Sequence, residues 1–415
     1  MANRLYYDDP YLRAFDAAVT SVDAKDDRLF VTLDRTAFYP TSGGQPFDTG
    51  TLAGFRVVDV LDQEDGSIVH VLGNSELRTE PLELATRNPL PGTRVHGSID
   101  WPRRFDHMQQ HTGQHVLSAA FERRFHVGTV SFHLGADVST IDLSREVRAS
   151  EIAAAEDEAN RIVWEDRAVN IRYASSDEAA GMALRKEPKR SGTLRLIDIE
   201  GFDLSACGGT HVARTGAIGV IAVPAWERFK GGYRIEFLCG GRALNRFRTW
   251  RETIADAVRL LSVASHELPG AIERMQVDAK EQKRAIAVLQ NELARFRADE
   301  LAAGAETVRV KADTSYALVA RALDADANAL KTLASALTAR SGYIVVLAST
   351  GQPTVAVVAR SADVAVSAQQ ILAALIAKFG GRGGGRPELA QGGGLNGSAG
   401  DILAAARQVV AGINA

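Results

Sequence analysis

The sequence predicts an α+β protein, and three observations carry that prediction. Short runs of alternating apolar residues dominate the N-terminal part, a long helical stretch with heptad spacing follows the middle, and the C-terminal part mixes both periods. The chain has 415 residues and is 46% apolar, which is enough for several packed cores. We expect a small β-domain (1–95), an α+β core (96–242), a helical coiled-coil spacer (243–303) and a C-terminal α/β domain (304–415).

Composition and charge restrict the partners and the cellular compartment that we expect for the chain. The formal net charge is -3, so any nucleic-acid contact must come from local basic patches rather than from the overall charge. Two cysteines, Cys207 and Cys239, fit a reducing compartment, and we expect a cytoplasmic protein. The N-terminus lacks a basic segment followed by an apolar run, and nowhere do about 18 apolar residues run together. We therefore expect neither a signal peptide nor a membrane partner.

The first two predicted domains differ in their periodicity. In the β-domain, strand-like runs at 29–33 and 67–72 are separated by Gly, Asp, Asn and Pro clusters that favour turns. In the core, helices are expected at 103–124 and 149–164, the second with Ser150 as its N-cap. Strands should follow near 169–173, 193–199, 217–223 and 233–238.

The spacer and the C-terminal domain are helix-rich. The spacer should be helical apart from a break at 268–270, and its apolar residues alternate by threes and fours from Ile272 to Phe296. That seam fits either a dimer contact or packing on the chain's own preceding helix. Beyond it, strands at 343–347 and 354–358 and helices near 326–340, 365–379 and 401–412 indicate the α/β domain.

Two histidine-containing motifs with the same spacing suggest a metal site. His111 and His115 are four residues apart on a predicted helix, so their imidazoles share one face. Cys207 and His211 form a second pair with that spacing, and three nitrogens with one thiolate suit tetrahedral zinc. His107 continues the helical series and stays open as an alternative ligand. A metalloprotease is excluded because Thr112, not glutamate, follows His111.

Two glycine-rich segments could approach a ligand through their backbones. Gly43 and Gly44 follow Pro40 in a tight turn that exposes N–H groups, and Gln45 offers an amide at the exit of the turn. The segment 380–394 is predicted to be a glycine-rich loop of the C-terminal domain, and its Arg382 and Arg386 could meet phosphate groups. It matches neither the Walker pattern nor the dinucleotide fingerprint, so nucleotide binding is not predicted.

These segments together resemble the editing family of alanyl-tRNA synthetase, and specifically its long-form, free-standing AlaX branch. The resemblance rests on the turn from Phe38 to Gln45, the two zinc motifs and the glycine run at 380–394. It implies a glycine-motif β-domain, an editing core shared with threonyl-tRNA synthetase, and a C-terminal domain like the one that accompanies DHH phosphoesterases. The DHH catalytic half has no counterpart here, so phosphoesterase chemistry is not implied.

The resemblance also implies residue roles and a reaction. One Zn²⁺ per chain would be held by His111, His115, Cys207 and His211. The catalytic set would comprise Gly43, Gly44 and Gln45, with Thr36 reading a serine hydroxyl. The expected activity is that of an aminoacyl-tRNA deacylase, a carboxylic ester hydrolase acting on tRNA(Ala) mischarged with serine or glycine.

Three matters stay open at this point. The chain could instead be a non-catalytic tRNA-binding module with a structural zinc, or a zinc hydrolase for a small acylated metabolite. The zinc could have a closed shell of four protein ligands or hold a water molecule. We expect Arg382 and Arg386 to contact tRNA, and the spacer with the C-terminal domain to form a homodimer.

Overall fold

The computed structural model describes residues 2–25, 28–73, 89–186, 192–311 and 314–412. The chain divides into two compact units, Met1–Asp256 and Ala257–Ala415. The mixture of helices and sheets confirms the predicted α+β class in its coarse form. The finer division into four domains stays a prediction.

The first unit begins with a β-barrel. Its sheet closes in the order β2-β3-β7-β6-β5-β8, and two short strands, β1 and β4, pair in parallel beside it. Apolar side chains at alternate positions fill the interior, among them Val31, Leu52 and Val60. The strands are β1 (Asn3–Arg4), β2 (Ala14–Lys25), β3 (Arg28–Leu33), β4 (Arg35–Thr36), β5 (Gly50–Leu52), β6 (Phe55–Asp62), β7 (Ile68–Gly73) and β8 (Arg94–Ile99).

A long helix, α1 (Trp101–Phe125), runs through the core of the first unit and carries the two spaced histidines. Pro102 lies in its first turn, where a missing N–H costs no hydrogen bond. From His107 to Phe121 almost every side chain is buried, so the helix is covered on all sides. This enclosure places polar residues of α1 in a water-poor environment, where each one needs a partner.

Two antiparallel sheets surround α1. One has the order β14-β15-β10-β9 and the other the order β11-β12-β13. Their elements are β9 (Thr129–Leu134), β10 (Ser139–Leu143), α2 (Ala149–Trp164), β11 (Val169–Ser175), α3 (Ser176–Ala180), β12 (Thr193–Ile199), β13 (Asp203–Ala206), β14 (Ile221–Phe229) and β15 (Gly232–Cys239). Both sheets pack on one apolar cluster that includes Phe121, Ile141 and Phe237.

Two sequence expectations for this region were wrong. Ser150 does not cap α2, because it lies within the first turn of the helix and Arg148, two residues earlier, is the N-cap. The Glu151 carboxylate instead accepts the backbone N–H of Arg148 at 2.8 Å. The strand expected at 217–223 begins only at Ile221, because residues Thr215–Ile218 form a 3-10 turn.

Two helices follow the core, α4 (Gly241–Leu261) and α5 (Leu268–Ala303). The predicted break lies earlier than expected, at 262–267, because Pro269 is tolerated in the first turn of α5. The heptad residues of α5 remain exposed: Leu289 is 63% and Phe296 71% exposed. Among the described residues, no helix combines the length and apolarity needed to cross a bilayer.

The second unit is a sheet covered by helices on both faces. Its elements are β16 (Glu306–Lys311), β17 (Thr314–Leu323), α6 (Ala327–Thr338), β18 (Tyr343–Ser349), β19 (Thr354–Arg360), α7 (Ala368–Phe379), β20 (Arg382–Gly385), β21 (Leu389–Leu395) and α8 (Ala399–Gly412), with strand order β16-β17-β18-β19-β21-β20. Among the described residues of this sheet, β17 and β18 are the only neighbouring strands that pair in parallel. Val345 and Leu347 face α5 and α6, whereas Ile344 and Val346 face α7 and α8.

The glycine-rich segment is not the loop that its composition suggested. Residues 382–385 pair antiparallel with 390–393, so the segment forms a β-hairpin at the edge of the sheet. Glycine permits this close pairing, since a Cβ on Gly383 would lie 2.4 Å from the backbone of Gln391. Arg382 and Arg386 are both exposed on this hairpin.

Candidate metal centre

The four predicted ligands come together in the first unit. The metal-binding atoms of His111, His115, Cys207 and His211 all lie within 4.8 Å of one another. The Cys207 Sγ atom is 3.4 Å from His111 Nε2 and 3.3 Å from His211 Nε2. Two motifs separated by about ninety residues of chain thus converge, as their matched spacing predicted.

The cluster fits a tetrahedral metal ion. Zinc bonds of about 2.0–2.1 Å to nitrogen and 2.3 Å to sulfur would place sulfur and nitrogen about 3.6 Å apart in a tetrahedron. The two sulfur–nitrogen distances are only slightly shorter than this. A soft thiolate with three imidazoles is a donor set that zinc favours over magnesium or calcium.

Each histidine of the cluster is oriented through its second ring nitrogen. His115 Nδ1 lies 3.0 Å from an Asp203 carboxylate oxygen, and His111 Nδ1 lies 2.9 Å from the Gln45 amide oxygen. His211 Nδ1 is 3.2 Å from the Thr112 hydroxyl, which donates its own proton to the Met108 carbonyl. All three partners can accept, so each Nδ1 carries the proton and each Nε2 is left to face the centre.

The electrostatics of the cluster favour a cation. Burial raises the pKa of the Cys207 thiol, but the opposite effect of His111 and His211 is larger in total. The pKa of Cys207 therefore lies well below its usual value. Burial lowers the pKa of His115, but the hydrogen bonds and negative charges of Asp203 and Cys207 together outweigh burial and raise the pKa to about 9. His115 therefore attracts a positive charge at Nε2, and a metal ion can replace the proton there.

Gly209 allows the turn at 207–211 to approach α1. A Cβ on this residue would lie 2.1 Å from His111 Cε1 and 3.1 Å from the Gln45 amide oxygen. No side chain fits at such a distance, so the close contact between turn and helix depends on glycine. By contrast, a Cβ on the preceding Gly208 would come no closer than 3.5 Å to Tyr7.

The glycine turn of the barrel is fixed to this cluster through Gln45. The Gln45 side-chain amide donates to the Thr210 hydroxyl at 2.8 Å, and its oxygen accepts the Thr210 backbone N–H at 3.1 Å. Gly43 and Gly44 both have positive φ, and a Cβ on Gly44 would lie 2.7 Å from Phe132. The structure thus brings Gln45 to the cluster, where it holds His111.

A buried ion pair joins the same turn to α1. The Arg104 guanidinium and the Asp48 carboxylate are both fully buried and form two hydrogen bonds of 2.9 Å besides a shorter one. Arg104 also donates to the Pro10 and Ala37 carbonyls. Each of the three guanidinium nitrogens thus has at least one acceptor, as a buried charge requires.

Thr36 lies in the barrel interior, fully buried, with its hydroxyl 2.8 Å from His70 Nε2. His70 Nδ1 faces the Val31 carbonyl at 3.0 Å and must donate to it, so Nε2 is the acceptor. Burial lowers the pKa of His70 to about 4, which keeps the ring neutral. The Thr36 hydroxyl therefore donates to His70 and accepts the Phe38 N–H at 3.1 Å.

The other candidate residues lie outside the cluster. His107 is 2% exposed and is not a member of the four-residue group, and its Nδ1 atom has no hydrogen-bond partner. Burial and nearby arginines lower its pKa to about 3. Arg382 and Arg386 belong to the second unit.

Sequence reasoning missed the residues that support the ligands. Asp203 contacts His115, Thr112 contacts His211, and Thr210 contacts Gln45, and the sequence assigned none of the three a role. One signal was available for Asp203: in a strand, residues 203, 205 and 207 point to the same side. Thr112 and Thr210 are recognised only once the turn and the helix are in contact.

Comparisons with known proteins agree with this architecture. Residues 194–236, which include the turn at 207–211, match the threonyl and alanyl tRNA synthetase second additional domain. Residues 314–412 match the DHHA1 domain. The fold and the site thus define a protein that combines a synthetase-type additional domain with a DHHA1 domain.

The family follows from a relative that is matched over almost its whole length. The alanyl-tRNA editing protein AlaX-L of Pyrococcus horikoshii is 34% identical over 403 residues, which cover 94% of both chains. The chain therefore belongs to the AlaX-L family of alanyl-tRNA editing proteins. The alanine–tRNA ligase of Pyrococcus abyssi is also 34% identical, but the match spans only 41% of that ligase. The solved C-Ala domain of Aquifex aeolicus alanyl-tRNA synthetase aligns at 22% identity with a TM-score of 0.23, over 26% of this chain and 98% of that domain.

Proposed function

We propose that this protein is an editing hydrolase that cleaves the ester between tRNA(Ala) and a wrongly attached serine or glycine. The observation that carries the proposal is the cluster of three buried histidines, His111, His115 and His211, with the partly exposed Cys207, in a chain that matches an editing protein over 94% of its length. A synthetase pocket for alanine rejects the smaller glycine and the hydroxylated serine only weakly, so a separate hydrolytic site is needed.

Zinc is the metal that the cluster would hold, and when bound it can polarise an ester or lower the pKa of a water molecule. Asp203, Gln45 and Thr112 hold the three histidines in the ligating orientation. The backbone N–H groups of Gly43 and Gly44 are the candidates for steadying negative charge on the ester oxygen. Gln45 acts as a positioning residue, because its contacts serve His111 and Thr210.

One assay separates this function from its alternatives. The full-length protein, loaded with zinc, is incubated with Ser-tRNA(Ala), Gly-tRNA(Ala), Ala-tRNA(Ala) and an N-acylated or esterified amino acid of low mass. An editing enzyme hydrolyses the mischarged tRNAs far faster than Ala-tRNA(Ala). A binding module retains the tRNA without cleaving it, and a metabolite hydrolase cleaves the small ester equally well without tRNA.

Thr36 is the residue proposed to distinguish serine from alanine. With its proton committed to His70, the Thr36 oxygen has a lone pair for a substrate hydroxyl and no donor to offer. Thr36→Val keeps the shape and removes this oxygen, and we expect the preference for Ser-tRNA(Ala) over Ala-tRNA(Ala) to fall about tenfold. Thr36→Ser, which keeps the oxygen, is the matched control. If the ratio of the two kcat/KM values were unchanged in Thr36→Val, a group other than Thr36 would recognise the serine hydroxyl of the substrate.

The glycine-rich hairpin is proposed to contact the tRNA body. Arg382 and Gly383 line a cleft of about 330 Å³ together with Gln391 and Ala327. Exposed arginines beside glycines leave room for a phosphate backbone to approach. The heptad seam of α5 is proposed to hold a homodimer, because Ile286, Leu289 and Phe296 are each more than half exposed.

Charge removal in the full-length chain tests the hairpin. Arg382→Gln with Arg386→Gln should raise KM for Ser-tRNA(Ala), leave kcat unchanged and reduce the salt slope by roughly two units for two lost phosphate contacts. Lys280→Gln with Lys283→Gln on α5 removes the same charge and serves as the control. An equal effect of both double variants would point to the net charge rather than to the hairpin.

A further inference from the structure

A surface beside the metal cluster combines an exposed aromatic ring with a buried arginine. Cys207 is partly exposed, and the next residue, Gly208, approaches the Tyr7 hydroxyl. Tyr173, on the edge strand β11, donates its hydroxyl to the Asp8 carboxylate at 2.8 Å and lies 3.5 Å from the Tyr7 carbonyl. A continuous row of contacts therefore runs from the cluster outwards to Tyr173.

Arg195 fixes this row to the turn that carries the ligand. Its guanidinium donates to the Cys207 and Gly209 carbonyls at 2.8 and 2.9 Å and to the Tyr7 carbonyl at 2.9 Å. It also lies 5.4 Å from the centre of the Tyr7 ring. These three bonds end on neutral carbonyl oxygens, so they leave the positive charge of Arg195 in place beside the cluster.

Tyr173 is the accessible end of the row. The side chain of Tyr173 is 51% exposed, whereas that of Ala174, the next residue on the same strand, is buried. The bond from its hydroxyl to Asp8 limits the movement of the ring, so little freedom remains to be lost when a partner binds. A flat, immobilised and exposed aromatic ring beside a cation suits an unstacked nucleobase with its phosphate.

We propose that Tyr173, with Tyr7 and Arg195 behind it, is the stacking surface for the last base of a single-stranded RNA 3′ end. The inference rests on the proposed function, because the ester to be cleaved lies on the ribose of that last nucleotide. Stacking the base on Tyr173 would direct the attached aminoacyl group along Tyr7 towards Cys207. Tyr173 would then contribute to binding the RNA end and not to the chemical step.

Binding of uncharged RNA tests this without hydrolysis. The probe is an acceptor-stem hairpin with an unpaired CCA end, titrated against the zinc-loaded full-length protein, beside the same hairpin lacking the final adenosine. Tyr173→Ala should raise Kd for the complete hairpin by roughly tenfold or more, as expected for one stacked base. It should leave Kd for the shortened hairpin unchanged. Equal losses for both hairpins would overturn the assignment.

Further variants separate the ring from its surroundings. Tyr173→Phe keeps the ring and should bind the complete hairpin nearly as well as the unchanged chain, whereas Tyr173→Leu should behave like Tyr173→Ala. Trp226→Ala, which removes a ring 44% exposed on the other sheet, should have no effect. Zinc content should be unchanged in all four, and weak binding by Tyr173→Phe with intact zinc would refute a stacking role.

Hydrolysis gives an independent reading. In Tyr173→Ala, KM for Ser-tRNA(Ala) should rise with kcat unchanged, because stacking stabilises the substrate and transition state equally. If the unchanged chain hydrolyses no charged tRNA but Tyr173→Ala still loses adenosine-dependent binding, editing is refuted and stacking on Tyr173 is retained. If hydrolysis is normal and the adenosine makes no difference, stacking alone is refuted.

Discussion

Replacing Cys207 or His115 with alanine should remove both the metal and the hydrolytic activity. The protein as purified should contain about one zinc ion per chain, since the cluster offers four ligands of the type that zinc prefers. Loss of one ligand leaves α1 and the turn at 207–211 without their common link, and the affinity falls steeply. Metal analysis, thermal unfolding and deacylation of Ser-tRNA(Ala) would each report the loss.

Matched controls exist within the chain. Cys239→Ala removes the other cysteine, whose buried thiol packs against Gly113 and whose pKa burial raises above the usual value. His96→Ala removes an exposed histidine that pairs with Asp16 on the barrel surface. Both should keep the zinc and the activity. Full activity of Cys207→Ala after exhaustive chelation would show that the cluster has no part in the reaction.

Gly209→Ala should damage the site nearly as severely as loss of a ligand. The added methyl group would lie 2.1 Å from His111 Cε1 and 2.3 Å from His111 Nδ1. The turn or the imidazole must move, and either movement breaks the bond between His111 and Gln45. We expect zinc affinity to fall roughly tenfold to a hundredfold, by analogy with loss of an orienting partner, and stability by about 1–3 kcal/mol from overpacking.

Gly208→Ala is the neighbouring control. Its methyl group would meet no atom closer than 3.5 Å, so zinc affinity and activity should stay near those of the unchanged chain. Competition with a chromophoric chelator measures the affinity of both variants. If the two substitutions weakened zinc binding equally, zinc affinity would depend on the flexibility of the turn and not on the space beside His111.

The sequence predicted elements where side-chain periodicity is strong. The bounds expected for α2 and for the strand at 193–199 agree with those observed, because both have regular apolar spacing. The composition of 382–395 predicts a loop where the structure has a hairpin, because glycine has no side chain to show the two-residue period of a strand. The sequence places the start of a strand at 217 because Ala217 and Ile218 are apolar, but these two residues belong to the 3-10 turn at 215–218.

The four residues of the candidate metal cluster were predictable from the sequence, but the residues that orient them were not. His111 and His115 are recognisable because they are four residues apart, and Cys207 and His211 have the same spacing. Gln45 meets Thr210 across 165 positions of sequence, and Asp203 meets His115 across 88. No local pattern encodes such pairs, because the tertiary fold alone decides which polar groups must satisfy one another.

The link between Gln45 and Thr210 also bears on how the protein matures during synthesis. Closing a contact over 165 residues requires almost the whole first unit to have left the ribosome, whereas the barrel is complete once Ile99 has emerged. The barrel can therefore form early, with His111 still lacking its thiolate partner. Capture of the proposed metal ion would then wait for the last quarter of that unit, because a nascent chain shorter than about 211 residues lacks His211, the fourth member of the cluster.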